Sequence, residues 1–225
     1  MGRADLISDE YREMQHVLDK DPAYGVASLH YAPLVAKIIE SVGATEPLDY
    51  GAGKGRLGVA LQEALQRPLT VHHYEPAMPQ WSVSPQPCRF VACLDVLEHI
   101  EPALLGTVLD DLMRVTAQVG VFSVDTGPAQ KVLPDGRNAH LLQQPFEWWL
   151  PKLKARFDIL SVNPVEGSSW WWSGASANGG SGCLRGSPAS GAGNRALLDV
   201  VVLQLEGVAN GHSDCDCGPH SFTVR

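Results

Sequence analysis

Leu48-Asp49-Tyr50-Gly51-Ala52-Gly53-Lys54-Gly55 is the stretch whose reading decides the fold. An apolar residue leads into an acid, glycine then falls at every second position, and a helical pattern follows at once from Arg56 to Arg67. Glycines at this spacing let a strand turn sharply into a helix while the backbone approaches a ligand closely. The helix start then offers unpaired N–H groups and a positive dipole end. Two later stretches give the turn its meaning. Tyr74-Glu75-Pro76 closes the next apolar strand, where a carboxylate is suited to a pair of ribose hydroxyls. Phe90-Val91-Ala92-Cys93-Leu94-Asp95 then runs into Val96-Leu97-Glu98-His99-Ile100-Glu101-Pro102.

At these residues the chain resembles the class I S-adenosylmethionine-dependent methyltransferases. Asp49-x-Gly51-x-Gly53-x-Gly55 matches their acid-x-Gly-x-Gly-x-Gly signature, whereas a dinucleotide turn reads Gly-x-Gly-x-x-Gly. Asp95-Val96-Leu97-Glu98-His99-Ile100 is similar to the segment ending their fourth strand, especially in the small-molecule and quinone O-methyltransferase branch. The resemblance covers roughly residues 20–165 and a final strand near 196–205. It implies an α/β, Rossmann-like, doubly wound and mostly parallel sheet with an antiparallel last strand. It also implies S-adenosyl-L-methionine as cofactor, with Asp49 near its amino group and Gly51, Gly53 and Gly55 under its methionine end. Glu75 would take the ribose hydroxyls, and Asp95 and Leu97 would stand beside the cofactor where the fourth strand ends.

The elements follow from periodicity. Amphipathic helices are predicted over 5–20 and 31–42, separated by the breaker Asp21-Pro22-Ala23-Tyr24-Gly25. Strands are predicted at 46–50, 69–75, 89–95, 119–124 and 157–163, with helices at 102–116 and from Pro145. Only fourteen residues separate Glu75 from Phe90, and Pro76, Pro79, Pro85 and Pro87 lie among them. A helix, a strand and two loops need more chain than that, so the family's third strand is expected to be missing or vestigial. The domain reading is a helical cap over 1–43, a cofactor-binding domain over 44–206 and a tail over 207–225. Residues 166–194, rich in Gly, Ser and Ala around Trp170-Trp171-Trp172, read as a flexible insertion, a flap over the acceptor side or a passenger.

For catalysis, His140 is the first candidate base, since a neutral imidazole suits removal of a hydroxyl proton; it could equally tie down its own loop. Tyr24, Arg137 and Trp170 are candidate substrate contacts, with helix packing for the tyrosine and pairing to Asp135 for the arginine as the plainer readings. Glu98 and His99 read as helix-entry or packing residues. Adjacent His72 and His73 point to opposite faces of a strand and are no metal pair. Pro87-Cys88 precedes the family's fourth strand instead of following it, and no Asp/Asn-Pro-Pro-aromatic motif follows Asp95, so nucleobase methylation is disfavoured. His212, Cys215, Cys217 and His220 have zinc-type donors at unusually tight spacing; no metal is assigned to them.

Composition bounds the rest. At 225 residues the chain is one domain of ordinary size, and its net charge of −8 opposes binding to a phosphate backbone. No apolar run approaches membrane-spanning length, the N-terminal residues resemble neither a secretory nor a transit signal, and five cysteines suit free thiols in a reducing cytoplasm. The reading is therefore a cytoplasmic enzyme methylating oxygen or nitrogen of a small polar acceptor. Its rivals are the same fold acting on a macromolecule and a catalytically silent S-adenosylmethionine-binding partner protein.

Overall fold

The computed structural model describes residues 6–26, 28–164 and 169–176. Its elements run α1 (Asp9–Leu18), α2 (Ser28–Val42), β1 (Leu48–Tyr50), α3 (Arg56–Leu65), β2 (His72–Tyr74) and β3 (Cys88–Cys93). They continue with α4 (Leu105–Val115), β4 (Thr116–Asp125), α5 (Phe146–Lys154), β5 (Phe157–Pro164) and β6 (Ser169–Ser176). One six-stranded sheet has the order β2-β1-β3-β4-β6-β5. The pairs β1–β2, β1–β3 and β3–β4 are parallel, whereas β6 runs antiparallel to both β4 and β5.

Alternation along the central strands places helices on both faces. Val91 and Cys93 of β3 join Leu48, Phe122 and Val124 against α4 and α5, through Leu109, Leu112, Trp149 and Leu153. Phe90 and Ala92 face the other way, with Val119 and Val121, onto Val35 and Ile39 of α2 and Leu57 and Leu61 of α3. A strand buried on both faces is necessarily apolar at nearly every position, as β3 is. Because β1 to β4 are parallel, Gly51, Glu75, Asp95 and Asp125 leave the sheet on a single edge. Over that edge lies α1. Ser8 caps it by accepting from the Tyr11 N–H at 3.1 Å, and Ile7, Tyr11, Met14 and Leu18 pack on Ala77, Leu133 and Ala139.

The missing third strand is observed: among the described residues, only a 3₁₀ turn at Pro79–Trp81 stands between β2 and β3. An antiparallel strand, however, stands where the sequence suggests a flexible insertion. Ser169–Ser176, the tryptophan-bearing start of the expected insertion, pairs with β4 and β5. Two physical preferences favour this. Tryptophan suits a pleated strand, and a short connection to β5 closes with less entropy loss than one of thirty residues. Residues 177–194, Leu197 to Leu205 and the His212/Cys215/Cys217/His220 tail lie outside the described residues. So do the side chains of Trp170, Trp171 and Trp172.

Gly51 leaves no room for a side chain. Its φ is +79°, and an added Cβ would lie 2.4 Å from Val96 Cγ2. Gly51→Ala is therefore expected to destabilise the chain by about 1–3 kcal/mol through overpacking and backbone strain. Gly53→Ala, with open space around its Cβ position, avoids the clash and should lose less. Chemical denaturation of the two variants checks the order.

Candidate functional site

The glycine turn is pinned from two directions. The N–H groups of Gly51 and Ala52 donate to the Tyr74 carbonyl at 2.8 and 3.0 Å, so the turn after β1 hangs on the end of β2. The Gly53 N–H donates to Glu75 Oε2 at 3.2 Å, and Glu75 Oε1 accepts from the Ala77 N–H at 3.1 Å. Burial nevertheless dominates this carboxyl and pushes its pKa up to about 7, against the lowering effect of both amides. Asp49, buried beneath the turn, faces His73 Nδ1 at 3.3 Å. Burial raises its pKa and the imidazole opposes the shift. His73 in turn stacks on Trp81, with ring centroids 4.8 Å apart.

A cavity of about 440 Å³ opens over these groups, within the ~300–1,000 Å³ usual for small-molecule sites. Asp49, Gly51, Gly53, Glu75 and Asp95 line it, as do Tyr24, Ser28, His99, Asp125 and His140. Asp95 adopts φ +52°, uncommon outside glycine. Ser123 holds it there: the Asp95 N–H donates to Ser123 Oγ at 2.8 Å, and that hydroxyl donates back to Asp95 Oδ1. Burial, with Asp125 nearby, raises the Asp95 pKa.

Two imidazoles, His99 and His140, line the cavity, and the Glu98 carboxyl is buried close to them. His140 Nδ1 lies 2.7 Å from the Gly127 carbonyl and His99 Nδ1 lies 2.9 Å from the Ala139 carbonyl. A carbonyl only accepts, so both rings carry their proton on Nδ1 and their lone pair on Nε2. The rings meet edge to face with centroids 4.7 Å apart. Burial depresses the His99 pKa to about 4, helped by His140, so His99 is neutral at ordinary pH. Glu98, fully buried, accepts from the Asp125 N–H at 2.9 Å through Oε1, and Oε2 has no hydrogen-bond partner among the described residues. Burial first, then Asp95, drives the Glu98 pKa well up.

Not every residue singled out from sequence comes to the cavity. Leu97 is fully buried in the apolar core, and Gly55 caps α3 with an added Cβ 2.7 Å from the Trp81 ring. Arg137 is exposed, its Nε donating to Asp135 Oδ2 at 2.6 Å. Sequence reasoning missed Lys54, which donates to the carbonyls of Asp21 at 2.7 Å and Tyr24 at 3.0 Å and so fastens the segment before α2 across the glycine turn. It also passed over Glu98 and His99 as site residues; the available signal was an adjacent acid and imidazole beside a strand end, with an unassigned imidazole in a later loop.

No protein-family model and no curated protein matches the chain. Solved structures do. A 1,6-didemethyltoxoflavin-N1-methyltransferase from Burkholderia thailandensis, with bound 1,6-didemethyltoxoflavin and S-adenosylhomocysteine, is 15% identical with a TM-score of 0.54, over 78% of this chain and 93% of that one. The mitomycin 7-O-methyltransferase MmcR is 15% identical with a TM-score of 0.53, over 74% of this chain. An O-methyltransferase family protein from Burkholderia thailandensis is 12% identical with a TM-score of 0.53, over 73% of this chain. The match spans 60% of each of the latter two proteins. Together with the strand order and, among the described residues, one antiparallel strand, these likenesses give the chain the Rossmann-like fold of the S-adenosylmethionine-dependent methyltransferases.

Proposed function

We propose that the protein transfers a methyl group from S-adenosyl-L-methionine to oxygen or nitrogen of a small polar acceptor. The observation that carries this reading is one cavity shared by the Gly51–Gly53 turn, the Glu75 carboxyl and His140. The residues fit the cofactor: Gly53 leaves open space where a side chain would stand, and Glu75 offers a carboxylate at the strand edge. When bound, S-adenosylmethionine supplies a methyl group already activated on a sulfonium. What remains for the chain is to bind, orient and handle a proton. Glu75 would accept both ribose hydroxyls, and Asp49 would face the amino-acid end. Asp95, locked by Ser123, would mark the border between cofactor and acceptor. Ser28 and Tyr24 close the cavity from above, and the lone pair on His140 Nε2 is positioned to receive the acceptor's proton. The acidic net charge and the modest cavity volume favour a small acceptor over a macromolecule. No helix among the described residues is long and apolar enough to cross a membrane.

S-adenosylhomocysteine is expected to raise the melting temperature and NAD to leave it unchanged, because only a ligand that prefers the folded state stabilises it; a shift with NAD alone overturns the assignment. Glu75 gives a pH signature. Its folded-state pKa of about 7 lies above the ordinary 4.5. Between those values the folded, ligand-free chain keeps a proton the unfolded chain has lost, so this residue's contribution to stability falls as pH rises through that window. Ribose hydroxyls favour the charged carboxylate, so S-adenosylhomocysteine affinity should rise with pH up to about 7. Glu75→Gln should weaken binding by about 1–3 kcal/mol and abolish the dependence; a flat wild-type profile would place the ribose elsewhere. His140→Ala should retain S-adenosylhomocysteine binding and lose turnover, measured as S-adenosylhomocysteine release with a panel of small hydroxyl and amine acceptors.

A further inference from the structure

We propose that Glu98, His99 and His140 form a site for a divalent first-row transition cation at the wall of the cavity, where His99 and His140 line it and Glu98 is buried beside them. Donor atoms of the three side chains lie within 4.8 Å of one another. Each is prepared for ligation by its surroundings. Both imidazoles give Nδ1–H to a backbone carbonyl, the hydrogen bond that commonly orients a ligating histidine and leaves Nε2 for the metal. Glu98 spends Oε1 on the Asp125 amide, which fixes the carboxyl plane, while Oε2 is buried without a partner among the described residues. An unpartnered buried carboxylate oxygen is expensive to keep, and a cation satisfies it directly.

The local chain explains how the three meet. Glu98 and His99 lie on the 3₁₀ turn Leu97–His99 that follows β3. Adjacent residues on a helical turn diverge, so they could not share a cation unless a third element closed over them. The loop after β4 does so: the Ala139 carbonyl receives His99, the Leu142 N–H donates to the Glu98 carbonyl at 2.9 Å, and His140 lies between those two contacts. Asp95 and Asp125 line the same cavity and add negative charge that favours a dication over no ion.

The donor set selects the metal class. Two imidazoles and one carboxylate suit Mn(II), Fe(II), Co(II) or Zn(II), whereas Mg(II) and Ca(II) take oxygen ligands. Three protein donors leave positions open to the cavity. A hydroxyl oxygen of the acceptor placed there would be acidified by the cation, and its O–H proton would pass to solvent as the oxygen–methyl bond forms and the sulfur–methyl bond breaks. In that state the Nε2 lone pair of His140 holds the metal rather than the proton. This last consequence, which selects oxygen acceptors with a free hydroxyl, rests on the methyltransferase reading. The metal site does not.

The test uses the full-length chain carrying Cys215→Ser and Cys217→Ser, which removes the thiolates of the tail, stripped of metal with a chelator. Mn(II), Co(II) and Mg(II) are titrated separately by calorimetry. The expected result is one equivalent of Mn(II) or Co(II) and much weaker uptake of Mg(II). Pulsed electron paramagnetic resonance of the Mn(II) form should show couplings to two imidazole nitrogens, a readout that needs no further variant. Glu98→Gln and His140→Ala should each weaken Mn(II) binding by about tenfold or more. S-adenosylhomocysteine affinity, measured in parallel, should stay nearly constant in the Glu98→Gln variant and so reports separately on the cofactor reading. Absence of Mn(II) and Co(II) binding, a bound Mn(II) without imidazole coupling, or affinity unchanged by both substitutions overturns the proposal.

Discussion

The Glu75 carboxyl is the joint on which the strand-edge architecture turns. One oxygen takes the Gly53 N–H and the other the Ala77 N–H, so a single side chain binds the loop after β1 to the loop after β2. The Tyr74 carbonyl repeats the tie one residue earlier through the amides of Gly51 and Ala52. Neighbouring parallel strands would otherwise end in independent loops. Here the two loops share hydrogen bonds, and the turn is held open for a ligand before any ligand arrives. Holding a carboxylate at low exposure disfavours its charged form, which is why its pKa climbs toward neutrality. A group kept in such an environment is a candidate for function rather than for stability.

The N-terminal segment turns this edge into a cavity. Ser8 directs both its N–H and its hydroxyl to the Glu101 carboxylate, at 2.8 and 2.7 Å. Arg12 and His16 of α1 reach the carbonyls of Pro76 and Ala77. Lys54 grips the carbonyls of Asp21 and Tyr24, and Lys131 pairs with Asp21 at 2.6 Å. Exposed polar ties of this kind contribute little singly. The apolar contact of Tyr11, Met14 and Leu18 with Ala77, Leu133 and Ala139 carries more of the docking. The arrangement therefore combines a modest apolar seat with many individually weak ties, a construction suited to a cover that admits a ligand.

The central sheet and the turns at its strand ends were legible in sequence because local patterns encode them. Alternate glycines, an acid closing β2 and the both-face apolar run of β3 need no knowledge of distant residues. The shortness of the Glu75–Phe90 interval was equally informative, since chain length alone forbids a further helix and strand. Legibility failed where composition and pairing conflict. Ser169–Ser176 looks like a polar, glycine-bearing linker, yet its partners β4 and β5 recruit it into the sheet. For Arg137 the plainer of two readings holds, since Asp135, two residues away, captures it. Glu98 and His99 looked like residues opening a helix. Only the return of the chain at His140, forty residues later, makes them part of a site, and that closure is a tertiary fact with no local signature.

A crystal structure of the protein with S-adenosylhomocysteine tests the central claim most directly. The account predicts both ribose hydroxyls within hydrogen-bonding distance of the Glu75 carboxylate and the homocysteine portion against the Gly51–Gly53 backbone. It also predicts the sulfur facing Asp95 and the His140 side of the cavity. A ligand seated elsewhere, or in the cavity with its ribose away from Glu75, would contradict it.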